Sequence, residues 1–194
     1  MSQIAEQEFQ RLPLRVHALL ADVPLHDVWA VDLPRLRSGI TLDEFRRVAN
    51  ARLFTPSLVV RALLNMRFFI GRFFGWDSTP RKAVSETFAD RLTPEDHASS
   101  LAPAGRPDGL FRVVYRFENE QLEELINRTA HAAALSALVE TANCYRFYFA
   151  VYVRNVGRLT PLYMALIDPL RKLIVYPSLL RSVRENWKQT VGVV

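Results

Sequence analysis

The sequence predicts an α+β domain, and three observations carry that prediction. Helix-start signals recur along the chain: the box Thr41-Leu-Asp-Glu44 and the pairs Thr55-Pro56, Thr93-Pro94 and Thr160-Pro161. A Thr hydroxyl caps the free amides of a first turn, and Pro at the first helical position gives up an amide that has no partner anyway. Between 109 and 155, two segments alternate with a period of two: Phe111, Val113, Tyr115 and Phe117 against Arg112, Val114 and Arg116, and Tyr145 to Val153 against Arg146 to Arg154. Beyond them Leu159, Leu162, Tyr163, Leu166, Ile167, Leu170 and Ile174 recur at helical spacing.

In chain order, residues 4–21 suggest an N-terminal helix weakened by Pro13, and residues 27–33 (DVWAVDL) a short strand. Helices are predicted over about 41–51, 56–75, 93–100 and 160–188 from their caps. Strands are predicted over 111–117, 121–129, 131–141 and 145–154. Pro169 and Pro177 each remove a helical hydrogen bond, so the last helix should kink or divide there. Each strand has one apolar face, so the sheet is expected to be solvated on its Arg-bearing side and covered by the last helix on the other.

Composition narrows the chemistry. The chain has 194 residues, 49% of them hydrophobic and 23% charged, which suits one globular domain. One cysteine, Cys144, excludes an intrachain disulfide framework and reads as a small buried side chain. The seven glycines form no GxGxxG or GxxxxGK[ST] loop, and there is no GxSxG elbow. His17, His26, His97 and His131 show no HxxxH or HExxH spacing, so neither a metal nor a cofactor is expected. Gly71 and Gly75 before Trp76-Asp77 suggest close helix packing.

The net charge of +5 is unevenly placed. Residues 1–141 carry 17 basic and 18 acidic side chains, whereas 142–194 carry eight basic residues against Asp168 and Glu185. Asp168, Arg171 and Lys172 fall opposite the apolar stripe of the last helix, so this charge is expected to face solvent or an anionic surface. Alternating Arg112, Arg116, Arg146, Tyr148, Tyr152 and Arg154 has the look of a stacking platform, but an ordinary solvated face has the same pattern, and nucleic acid is not expected. Met1 to Val23 lacks a basic stretch followed by an apolar one, and Leu58 to Trp76 is broken by Arg61, Arg67 and Arg72. Neither a secretory signal nor a membrane span is predicted, which makes the cytoplasm the default compartment.

Several phrases resemble an uncharacterised bacterial domain-of-unknown-function family within the START, polyketide-cyclase and Bet v 1-like (SRPBCC) superfamily. They are Trp29-Ala-Val-Asp-Leu-Pro34, Thr41-Leu-Asp-Glu-Phe-Arg46, Gly71-Arg-Phe-Phe-Gly-Trp-Asp77, Asn127-Arg-Thr-Ala-His131, Tyr152-Val-Arg-Asn-Val-Gly-Arg-Leu-Thr160 and Tyr163-Met-Ala-Leu-Ile-Asp-Pro169 through Ile174-Val-Tyr-Pro177. The resemblance covers about residues 23–188 and brings no catalytic motif. It implies a helix-grip fold: a curved antiparallel sheet on a long kinked C-terminal helix, with two short helices between the first and second strands. Residues 1–22 would be a helical extension and 23–190 the helix-grip domain. The superfamily implies a hydrophobic pocket between sheet and helix for lipids, sterols, polyketides or aromatic molecules.

On that footing the expected ligand wall comprises Tyr115, Tyr145, Phe147 and Phe149, with Phe111 beside them, Tyr163 of the helix, and the polar groups of Asn127, Thr129 and His131. His131 is the catalytic candidate, since imidazole titrates near neutral pH. Three readings stay open: binding of an apolar or aromatic small molecule, a cyclase or dehydratase acting on a polyketide-like substrate, and a peripheral lipid-handling protein with weak contact to anionic membranes. The chain is expected to be a monomer or homodimer.

Overall fold

A computed structural model describes residues 2–35, 37–53, 86–127, 131–157 and 159–191. The predicted helix over 56–75, the Trp76-Asp77 turn and Thr129 lie outside them. Strand β1 (Ser2–Gln3), helices α1 (Glu6–Gln10) and α2 (Val16–Leu19), strand β2 (Leu25–Pro34) and helix α3 (Leu42–Leu53) come first. A 3-10 turn (Ala89–Arg91), helix α4 (Pro94–Ser99), and strands β3 (Pro107–Asp108), β4 (Phe111–Arg116), β5 (Glu120–Ile126), β6 (His131–Glu140) and β7 (Cys144–Arg154) follow. Helix α5 (Leu159–Leu170), a π turn (Arg171–Val175) and helix α6 (Tyr176–Val191) close the chain.

The seven strands form one antiparallel, curved sheet in the order β1-β2-β7-β6-β5-β4-β3. The long strands are the ones the alternation predicted, with ends displaced by a few residues. The two-residue strands β1 and β3 are too short to leave a periodicity. Gly109 starts the two-residue turn joining β3 to β4, where its φ of 62° suits a residue without Cβ. Thr93 caps α4 as expected, its hydroxyl accepting from the Asp96 amide while the Asp96 carboxylate accepts from the Thr93 amide.

The long C-terminal helix is interrupted between its two prolines, and Pro177 is the second residue of α6. Pro169 stays inside α5, and the irregularity falls just beyond it as the π turn. Proline withholds an amide from the ladder, and a wider turn is one way to accommodate the loss. Helix α6 packs on β2 and α3. There Phe45, Phe147, Leu180, Val183 and Trp187 form a sealed core, and the Trp187 Nε1 donates to the Pro34 carbonyl at 2.8 Å. Arg181, Arg184 and Lys188 lie on the exposed side of α6.

Two expectations need correction. Among the described residues the side opposite α6 is covered too: residues 4–23 and 88–104 lie over it, with Phe9, Val16, Leu20, Phe88 and Leu92 on Val28, Ala30, Leu135 and Ala150. Tyr148 and Tyr152, expected on the open side, are buried in that second core. They flank Ala150 on one face of β7, with Arg146 and Arg154 beyond them toward the strand ends, and the N-terminal segment covers the apolar stretch between. Nor do Asp168 and Arg171 face solvent. They turn toward the start of β2, where Asp27 and His26 draw them in.

Candidate functional site

Parity decides which side chains share a face. In the β6–β7 pair, odd residues of β6 oppose even residues of β7: His131 with Arg154, Ala133 with Tyr152, Leu135 with Ala150. His131 therefore shares a face with Tyr148 and Tyr152, and Tyr115 joins it through Leu122 and Leu135. Tyr145, Phe147 and Phe149 point the other way, toward α6 and the π turn. The expected wall is thus divided between two faces. Asn127 is buried at the end of β5, and of Tyr163 only the helical backbone is described.

On the face under the N-terminal segment, His131 is wholly buried. Its Nε2 lies 3.1 Å from Glu124 Oε2, which also accepts the Phe88 amide at 2.9 Å, and the Phe88 ring stacks on the imidazole at 3.8 Å. Tyr115 donates to Glu120 Oε2 at 2.9 Å, and burial holds its hydroxyl well above the usual phenol range. Glu120 in turn accepts the Arg15 amide. These buried polar groups tie the two covering segments to the sheet, Glu124 through Phe88 and Glu120 through Arg15.

The face toward the C-terminal helix is different. On β6, His131, Ala133, Leu135 and Ala137 are all 0% exposed on one side, whereas Ala132 and Ser136 on the other side are only half-buried. Half-buried Trp29, Phe149, Glu123 and Leu125 adjoin them. The patch sits mid-sheet, between the core around Trp187 and a second one of Val151, Val153, Met164 and Tyr176. Among the described residues this makes a half-buried patch on the helix-facing side, with Ala134 between Ala132 and Ser136 at 8% exposed.

Polar groups stand at both ends of that patch. At the β2 end, Asp27 is 4% exposed, and its Oδ2 lies 3.4 Å from Arg171. Burial pushes its carboxyl up, against the pull of Arg171. Its Oδ1 has no hydrogen-bond partner, and neither has the buried Nε1 of Trp29. The Tyr176 ring lies 5.6 Å from both the Trp29 and Phe149 rings, and its hydroxyl is held by Arg171. His26 contacts both oxygens of Asp168 at 2.8–2.9 Å. The ligand atoms of His26, Asp27 and Asp168 lie within 4.8 Å of one another, a spacing that suits a metal. Arg171 and Lys172 already neutralise these carboxylates, at 3.1–3.7 Å, which disfavours a further cation.

At the β5 end, Arg46 and Arg116 both donate to Gln121 Oε1, and the Gln121 amide donates to Glu123. Arg46 also donates to Asp108 at 2.9 Å, and Arg116 lies 3.4 Å from it. Burial and the neighbouring Asp108 push the Glu123 carboxyl up to about 7. Burial also raises Asp108, but hydrogen bonds from Arg46 and Glu123 outweigh it and leave its carboxyl below the usual range. The environments push the two hydrogen-bonded carboxyls apart, Glu123 upward and Asp108 downward.

Sequence reasoning missed Asp27, Trp29, Gln121, Glu123, Arg171 and Tyr176. The signal for the first was present: in DVWAVDL, Asp27 takes an alternate position beside Trp29, Val31 and Leu33, where a carboxylate is out of place. A separate open cleft of about 240 Å³ lies where Leu14, Ile40, Asn119 and Tyr145 meet. There the Tyr145 hydroxyl donates to the Arg37 carbonyl at 2.8 Å and lies 3.0 Å from Glu140, so it is engaged in loop contacts.

Among the described residues no helix is long and apolar enough to cross a membrane. Neither the curated proteins nor the solved structures include a match to this chain. One protein family does match, described as "Protein of unknown function (DUF2867)", over residues 19–178, from the end of α2 into α6. The chain belongs to the DUF2867 family.

Proposed function

We propose that this protein binds a mostly apolar small molecule in the groove between the sheet and the C-terminal helix, in a helix-grip fold of the START and polyketide-cyclase type. The observation that carries the reading is the unequal burial of β6, sealed on one face and half-open at Ala132 and Ser136 on the other. A packed interior leaves few voids, so an incompletely covered stretch at mid-sheet is where a ligand would complete the packing. The strand order, with a long C-terminal helix following β7, supports the helix-grip assignment.

The test is Ala134→Trp, which sets a large side chain on the floor. Binding of an apolar fluorescent probe such as trans-stilbene should fall at least tenfold, whereas Arg112→Trp, on the exposed side of β4, should leave it unchanged. Equal binding in wild type and both variants refutes the groove.

The paired carboxyls favour a second reading, an enzyme of the cyclase or dehydratase kind. Glu123 then supplies the proton and Asp108 keeps it in place, while His131 is sealed on the opposite face. Loss of turnover in Glu123→Gln with probe binding intact supports it, and unchanged turnover removes it.

A further inference from the structure

We infer that the groove selects an uncharged, elongated ligand lying across the strands, with a hydroxyl or carboxamide at each end; this rests on the small-molecule reading above. Register supplies the length. Asp27 pairs with Val151, Val151 with Ala134, and Ala134 with Glu123, so both polar ends belong to one row across four strands. The next row runs Trp29, Phe149, Ser136 and Gln121. Three strand spacings make the span roughly 14 Å. Between the ends lie Val151 and Ala134, 9% and 8% exposed, and half-buried Phe149 and Ser136; two of the four are small, which leaves room for an apolar body once Tyr176 moves off Val151.

Chemistry at the ends sets the charge. Asp27 Oδ1 is a buried acceptor without a donor, and Trp29 Nε1 a buried donor without an acceptor. Unmade hydrogen bonds of this kind are costly, and a hydroxyl or primary amide both donates and accepts. A cationic end would meet Arg171, and an anionic end would meet Asp27. At the other end, Glu123 and Asp108 oppose an anion, while Arg46 and Arg116 oppose a cation. Neutrality satisfies both. Neither orphaned atom is open to solvent, so entry requires Tyr176 to move. The π turn that precedes it, with Leu173 77% exposed, is the deformable point.

The experiment compares trans-stilbene with its para-hydroxy, bis-para-hydroxy and para-dicarboxylate derivatives, read by the stilbene's own fluorescence. A net hydrogen bond gives about fivefold in affinity. The bis-hydroxy compound should therefore bind more than tenfold tighter than stilbene, and the dicarboxylate no tighter than stilbene. Trp29→Phe should cost the bis-hydroxy compound about fivefold more than it costs stilbene, since only the former uses the indole N–H. Glu123→Leu should do the same from the other end, and should that variant fail to fold, Trp29→Phe decides alone. If the hydroxyls add nothing, or the dicarboxylate binds tightest, while Ala134→Trp still abolishes stilbene binding, the two-ended neutral ligand is refuted and the groove stands. If no stilbene binds at all, both fall.

Discussion

Glu123→Gln gives the sharpest test of the electrostatics at the β5 end of the groove. The Glu123 carboxyl is raised from 4.5 to about 7, chiefly by burial and then by its hydrogen bond to Asp108. The folded state therefore holds this proton more tightly than the unfolded chain does. Its stabilising effect is fully present below pH 4.5 and is lost as the pH rises through 7. At about 1.4 kcal/mol per unit, the raised value sets a ceiling of roughly 3 kcal/mol. Since Glu123 is only half-buried, screening reduces the expected loss to about 1–2 kcal/mol. Gln keeps the shape, accepts from Gln121 and donates to Asp108, but does not ionise. Urea denaturation of both proteins at pH 4 and pH 8 reads the difference. Stabilities should agree at pH 4, and the variant should be about 1–2 kcal/mol more stable at pH 8. Asp22 and Asp96, held at about 2 mainly by hydrogen bonds from Arg91 and Arg15, act in the opposite sense and below this window. A variant no more stable than wild type at pH 8 refutes the assignment of Glu123 as the proton-holding partner.

Further outcomes follow from the packing. Trp187→Ala empties a fully buried site against Phe45 and strands the Pro34 carbonyl, so thermal denaturation should show a loss of about 3–5 kcal/mol; a loss under 1 kcal/mol contradicts the sealed core described here. His131→Ala leaves Glu124 buried without its imidazole and should cost about 3–5 kcal/mol in urea, while stilbene affinity stays within twofold of wild type. A selective loss of ligand binding with stability intact would show that His131 belongs to the ligand site after all.

Much of the architecture was legible because local rules governed it. The box at Thr41 and the Thr93-Pro94 and Thr160-Pro161 pairs mark helices that form within one or two residues of those positions. The alternation around Tyr115 and Phe149 marks strands. What the alternation could not decide was which faces coincide, because that depends on register and on the bulges between Leu25 and Asp27 and between Val113 and Tyr115. So Tyr115 and His131 were grouped with Tyr145 and Phe147, although they lie on opposite sides of the sheet. The covering role of residues 4–23 was equally hidden, since two short helices around Pro13 carry little periodicity. The polar ends of the groove come from residues far apart in the chain, Asp27 with Arg171 and Arg46 with Asp108. Their meeting is a tertiary fact.

The central claim is that a ligand rests on the helix-facing side of the sheet, and alanine-methyl NMR tests it most directly. Ala132 and Ala134 point to the helix-facing side of the sheet, while Ala133 and Ala137, on the same strand, point to the sealed opposite core. Addition of trans-stilbene or its bis-hydroxy derivative to the methyl-labelled protein should move the Ala132 and Ala134 resonances and leave Ala133 and Ala137 in place. Shifts confined to Ala133 and Ala137, or no selective shift on this strand at saturating probe, would contradict the account.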